Sequence, residues 1–359
     1  MFTPDFPNRV LMQKQLLVTF DYELFLGNRS GTIHDCMIEP TRQLMKIMGK
    51  HPLRAVFFVD TTYLLQLKKK SETTPKCLSD FNEVAAQLVD LVKSGHYVFP
   101  HVHPHWLDAE YLTDINQWRL NSTAKYRFHH ISETERAEVF NGSVKLLEDI
   151  LLPVFPDYKV NGYRAGGWCI QPFGDFRPYF LKNKIEHEFS VLGGIYQFTD
   201  AQYFDFSNAP QKTIYRFDTD VCIPDPDGPF IQYNISSIPV PEGKLWLNKL
   251  WLKLLYKIKK DHTFFKGEGQ PSRVLTGLKP ASPTGHDLSE THWERISVEL
   301  LTAVKSGVYH RFLDNNRYMH FISHPKMVTQ HNLAVFDKFL ERAFEKYSIE
   351  TDFYKMLPE

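Results

Sequence analysis

Residues 95–106, GHYVFPHVHPHW, carry three histidines at alternate positions: His101, His103 and His105, with prolines at Pro100 and Pro104. Neutral imidazole is the commonest protein ligand for a transition metal, and zinc takes it readily alongside carboxylates. On a straight strand the three side chains share a face, but His101 and His105 would stand about 13 Å apart, too far for one ion. If the strand ends near His101 and the chain turns at Pro104, the outer two converge. A His-rich surface loop would show the same residues. The flanking pattern favours a strand end. Residues 83–94 read as an amphipathic helix with Val84, Leu88, Leu91 and Val92 on one face. Gly95 stops that helix, and the apolar run Tyr97, Val98, Phe99 follows.

Three other apolar runs end in polar residues able to do chemistry. Residues 16–20 (LLVTF) run into Asp21 and Glu23, residues 160–163 into Arg164, and residues 318–323 (YMHFIS) into His324. Singly, each has an ordinary role open to it, as a turn residue, an ion pair or a hydrogen-bonded loop histidine. Their shared placement suggests one site, because all strand ends of a parallel α/β barrel open on one face.

The elements needed to hold such a site are legible. Further strands are expected at 54–59, 189–192 and 213–217, making seven in all. Helices are expected at 40–50, 133–152, 172–183, 244–260, 290–306 and 331–347. Ser132 and Glu135 have the spacing of a capping box at the start of the 133–152 helix. Residues 68–80 and 107–132 read as loops, 221–243 as Pro-rich and irregular, and 1–13 as a loose arm. Residues 266–288, rich in Gly, Pro and Ser, read as a mobile linker or lid. Seven strands mostly alternating with helices point to a parallel α/β architecture.

Composition narrows the function classes. The 359 residues have zero formal net charge and a pI near 7.3, which argues against a nucleic-acid partner bound through a strong basic field. Cys36, Cys77, Cys169 and Cys222 form no CxxC pair, so neither a zinc ribbon nor a redox motif is present. Scattered cysteines, no visible signal peptide and no apolar run of transmembrane length lead to the expectation of a cytoplasmic protein.

Residues 244–260, KLWLNKLWLKLLYKIKK, combine an apolar face (Leu247, Leu250, Trp251, Leu254, Leu255, Ile258) with lysines 249, 253, 257 and 260, and carry Trp246 and Trp251. An interfacial helix needs this combination, and peripheral membrane contact is one expectation. Packing of the apolar face on the barrel is the other.

Taken together, TFDYE at 19–23, GHYVFPHVHPH at 95–105, YRAGGW at 163–168 and FISHPK at 321–326 resemble the motifs of the NodB-type polysaccharide deacetylases, carbohydrate esterase family 4 and its relatives. The resemblance runs over about residues 16–350. It implies a distorted (β/α)7 barrel as one domain over 1–359, with an insertion at 241–290. It also implies one divalent metal ion, usually zinc, and removal of an N-acyl group, such as acetyl, from a sugar. That sugar would be nucleotide- or lipid-linked, in polysaccharide or glycolipid biosynthesis. Another amide or ester hydrolase such as a deformylase, or a degenerate carbohydrate-binding protein, could share the barrel.

Residue by residue, the resemblance makes His101 and His105 metal ligands and leaves His103 as an extra. It makes Asp21 the catalytic base, Arg164 the group that orients it, and His324 the general acid. Two departures stand out. The family's second aspartate, its metal carboxylate, is replaced by Tyr22, so Glu23 becomes the expected ligand; the reverse division, Asp21 on the metal and Glu23 as base, stays open. The family's fourth motif, with an aspartate and a tryptophan, has no clear counterpart, although Asp218 and Asp220 lie nearby.

Overall fold

The computed structural model describes residues 12–264 and 292–358, apart from 28, 212 and 357. The linker expected at 266–288 and nearly all of the arm at 1–13 lie outside the described residues. Seven strands run parallel side by side. They are β1 (Gln13–Tyr22), β2 (Ala55–Asp60), β3 (Tyr97–Val102), β4 (Gly162–Ala165), β5 (His187–Glu188), β7 (Phe230–Tyr233) and β8 (Tyr318–Ser323). Their order is β7-β5-β4-β3-β2-β1-β8. β6 (Ile214–Phe217) pairs antiparallel with β7 at one edge, and β9 (Ser348–Glu350) pairs with the start of β1.

The sheet curls until its ends meet. Between β7 and β8 no regular ladder forms among the described residues. Instead Ser236 N–H donates to the His320 carbonyl at 3.3 Å, and Ile322 N–H donates to the Ile296 carbonyl at 2.9 Å. The result is a distorted barrel closed by irregular backbone.

Period-two alternation sorts the strand residues. Leu16, Val18, Phe20 and Tyr22 of β1 join the large core shared with the helices. Leu17, Phe58, Phe99, Phe189, Tyr233 and Tyr318 form a separate cluster inside the barrel. Strands buried on both faces read as continuous apolar runs, which is why LLVTF and AVFFV carry so little alternation. Helices α1 (Glu39–Met48), α2 (Thr61–Ser71), α3 (Pro75–Lys93), α4 (Glu133–Leu151), α5 (Arg177–Asn183), α6 (Glu242–Leu254), α7 (Ser306–Asn315) and α8 (Gln330–Lys346) fill the connections. The Ser132–Glu135 capping box is present at α4, and Thr329 with Asn332 forms a second at α8.

Several expectations are corrected. Residues 68–80 are not a loop: α2 ends and α3 begins there, with Pro75 in the first turn of α3. Of the helix expected at 290–306, the described residues 292–305 form none. A strand at His292–Arg295 pairs with Ser237–Val240, and α7 starts only at Ser306. The seventh parallel strand, Phe230–Tyr233, lies in the stretch read as irregular, whereas 213–217 became the antiparallel edge. The strand expected at 189–192 sits earlier, at His187–Glu188.

Candidate metal centre and catalytic site

Inward-facing residues at the carboxyl ends of the strands converge. Along β1 the inner face reads Leu17, Thr19, Asp21, and Glu23 continues it two residues on. On β3 it reads Phe99, His101, and His103 continues it. On β8 it reads Tyr318, His320, Ile322, and His324 follows. All of these except His324 are buried, and the His324 side chain is 20% exposed.

Arg164, at 0% exposure on β4, spans the barrel. Its Nη1 donates to Asp21 Oδ1 at 2.6 Å, its Nη2 to Thr19 Oγ1 at 2.8 Å, and its Nε to the Phe189 carbonyl at 3.0 Å. Its guanidinium lies 4.2 Å from the Phe58 ring centroid. Burial would push the Asp21 carboxyl up, but Arg164, then His101 and His324, outweigh it and hold it below the ordinary value. Asp21 therefore presents Oδ1 to Arg164 and a charged Oδ2 to the site, 3.8 Å from His101 Nε2 and 3.6 Å from His324 Nε2.

Glu23 faces the histidine pair. Its Oε2 lies 2.9 Å from His103 Nε2 and 3.5 Å from His101 Nε2, and the two Nε2 atoms are 3.0 Å apart. Its Oε1 accepts from Lys326 Nζ at 2.8 Å. Burial raises the Glu23 carboxyl, and Lys326 with His103 more than reverses that, holding it well below its ordinary value.

The structure brings His103, not His105, into this group. The expectation that His105 would be a ligand and His103 an extra rested on the resemblance and on a strand end near His101 with a turn at Pro104. The strand does end at Val102 and a short 3-10 segment does open at Pro104, but the backbone stays extended through His103. His103 thus stays on the face of His101, and His105 is carried beside the group. The His105 ring stacks on Tyr126, with centroids 5.8 Å apart and 24° between planes. Burial, with help from His103, holds it well below its ordinary value and hence neutral. Neither of its ring nitrogens has a hydrogen-bond partner among the described residues.

A cation fits the Glu23–His101–His103 group on two counts. First, His101 Nδ1 lies 3.0 Å from the Arg164 carbonyl. A carbonyl only accepts, so Nδ1 carries the proton and Nε2 turns a lone pair to the site, the usual arrangement of a ligating histidine. Second, ligands about 2.1 Å from a tetrahedral zinc stand about 3.4 Å from one another, and the three separations here are 2.9, 3.0 and 3.5 Å. Two imidazoles and one carboxylate suit zinc.

The backbone around His103 is tightly built. Its N–H donates to Thr62 Oγ1 at 3.1 Å, at the start of α2. A Cβ on Gly166 would fall 2.5 Å from the Val102 carbonyl oxygen and 2.6 Å from His103 Nδ1, so only glycine fits there.

His324 has a partner that sequence reasoning missed. Its Nδ1 lies 3.0 Å from Glu299 Oε1, so Nδ1–H donates to that carboxylate and Nε2 faces Asp21. Burial pushes Glu299 up, but the hydrogen bond and charge of His324, with Arg295, bring it down to about 2. Lys326 was missed too, although it lies inside FISHPK. A glutamate in an irregular stretch has no periodic signal, so nothing in the sequence pointed to Glu299. Asp218, by contrast, pairs with Arg177 at 2.8 Å, and the Asp220 carboxylate accepts from Cys222 N–H at 2.8 Å.

Solved structures similar to this chain include polysaccharide deacetylases. One is a protein of Mycobacterium smegmatis assigned as a polysaccharide deacetylase, at 11% identity and a TM-score of 0.43, covering 98% of this chain and 91% of that one. Another is the peptidoglycan deacetylase PdaC of Bacillus subtilis, at 18% identity and a TM-score of 0.23, over 43% of this chain and 50% of that one. A 4-alpha-glucanotransferase of Thermococcus litoralis also matches, at 12% identity and a TM-score of 0.47, over 97% of this chain and 41% of that one. No family profile and no curated protein matches the chain. Among the described residues no helix is long and apolar enough to cross a membrane.

Proposed function

We propose that this chain is a metal-dependent hydrolase that removes an N-acyl group, acetyl in the simplest case, from an amino sugar. The observation that carries the reading is the convergence on one barrel rim of three devices, the buried Arg164–Asp21 and Glu23–His101–His103 and the half-buried Glu299–His324. A divalent ion, zinc by the donor set, would be held by Glu23, His101 and His103, and when bound it supplies Lewis-acid polarisation and a water acidified towards neutral pH.

The chain's own groups then divide the proton traffic. Asp21 Oδ2 takes a proton from the attacking water, while Arg164 keeps the carboxylate charged and aimed. Water adds to the acyl carbon, the C–N bond breaks, and His324 Nε2–H gives its proton to the departing amine, which is otherwise a poor leaving group. Glu299 holds the opposite ring nitrogen and stabilises the protonated imidazole. The products are a free amino sugar and the carboxylic acid. This division makes Glu23 the ligand and Asp21 the base, supported by the engagement of Asp21 Oδ1 with Arg164 and the approach of Glu23 Oε2 to both imidazoles.

The test is metal content of the purified full chain together with amine release from N-acetylated amino sugars, free, nucleotide-linked and lipid-linked. About one zinc per chain with amine release is the expected result. A protein without stoichiometric metal that binds the sugars unchanged would overturn the reading in favour of a degenerate carbohydrate-binding protein.

A further inference from the structure

Helix α6 and the turn that follows it, Leu255–Lys259, bury only a narrow stripe. Asn248 and Leu255 are buried and Leu245 and Trp251 half-buried. Thr302 Oγ1 donates to Asn248 Oδ1 at 2.5 Å, and Trp251 Nε1 donates to His331 Nε2 at 3.3 Å. The packing alternative is therefore met by Trp251 and Leu255 alone of the six apolar residues picked out in the sequence. Leu247, Leu250, Leu254 and Ile258, spaced three, four and four residues apart along one side, are 51, 45, 46 and 71% exposed. Trp246 beside them is 61% exposed. Isolated exposed leucines are ordinary, but a contiguous row with a tryptophan marks an interaction site.

The charge pattern selects the partner. Lys249, Lys253 and Lys257, four residues apart, line the side next to the apolar row and are exposed. Between Glu242 and Asp261 there are six lysines and no acid, in a chain of zero net charge. We infer that this face docks on an anionic lipid bilayer, the leucines and Trp246 entering the acyl boundary and the lysines meeting the head groups. A second copy of the chain fits poorly, because a twofold contact would set the lysines against their own copies. Residues 265–291 carry three basic and three acidic residues and offer no countercharge.

The buried side of α6 rests against Thr302 and His331. The inference stands independently of the reaction proposed above.

The experiment is co-sedimentation of the full chain with vesicles of equimolar phosphatidylglycerol and phosphatidylcholine, against phosphatidylcholine alone. Binding to the anionic vesicles only, falling as salt rises, is expected. Lys253→Gln with Lys257→Gln is expected to weaken it about thirtyfold, at about fivefold per lysine. Leu250→Ser with Leu254→Ser, at exposed positions where the circular-dichroism melt is expected to stay unchanged, is expected to weaken it about as strongly. A full chain that stays in the supernatant at low salt overturns the inference, as does binding indifferent to both pairs. A dimer in light scattering that Leu250→Ser with Leu254→Ser dissociates, without vesicle binding, overturns it in favour of a second copy.

Discussion

Arg164 Nη1 and Asp21 Oδ1 meet at 2.6 Å with both side chains at most 4% exposed. A guanidinium buried this deeply in a barrel is held by its full set of partners. Removing one member of a buried pair leaves an uncompensated charge and costs about 3–5 kcal/mol. Arg164→Met is expected to lose about that much in urea unfolding, and Asp21→Asn with Arg164→Met less than the sum of the two singles. Arg164→Lys has no planar fork to reach Asp21, Thr19 and the Phe189 carbonyl together, so it is expected to recover little.

The two neighbouring histidines give opposite expectations. His103→Ala is expected to strip zinc from the purified protein, while His105→Ala keeps it and loses stability through the packing on Tyr126. Metal analysis of both variants decides it; zinc lost with His105 and kept without His103 would reverse the assignment. Gly166→Ala, whose Cβ would crowd the Val102 carbonyl and His103 Nδ1 while leaving the three ligand side chains in the sequence, is expected to weaken zinc binding about 10–100-fold.

Glu299→Ala separates proton donation from binding. It leaves His324 without the carboxylate at 3.0 Å, and amide hydrolysis is expected to fall about 10²-fold or more in kcat with KM little changed. An activated ester, whose leaving group needs no proton, is expected to suffer much less. His324→Ala should repeat that contrast. Equal slowing of both substrates would assign the pair a structural role.

His96, at the foot of β3, sets a pH dependence away from the site. It accepts the Ala55 N–H on Nδ1 at 3.2 Å, and burial lowers it from 6.5 to about 4. Between those values the unfolded chain binds a proton that the folded chain refuses. Stability is thus full above about pH 6.5 and falls as pH drops towards 4, by about 3 kcal/mol. Urea midpoints across that window should show the slope, and His96→Gln, which can still accept the Ala55 N–H, should remove most of this contribution.

What the sequence determined by itself was local. Apolar runs ending in Asp21, His101, Arg164 and His324 were visible because a strand buried on both faces needs continuous apolar residues, and its polar end is abrupt. The capping box at Ser132 was visible because its two partners are three residues apart. What tertiary structure decided was how far each strand extends and which residues meet across the barrel. An extended backbone through His103 placed it, not His105, beside His101, since a step of two keeps a face and the turn at Pro104 leaves it. Phe230–Tyr233 became a strand through its parallel pairing with β5, a contact no local pattern announces. Glu299 reached His324 across 25 residues, and Lys326 reached Glu23 across 303. Pairings at such separations are set by the closing of the barrel, which brings together chain ends whose sequence neighbourhoods carry no record of each other.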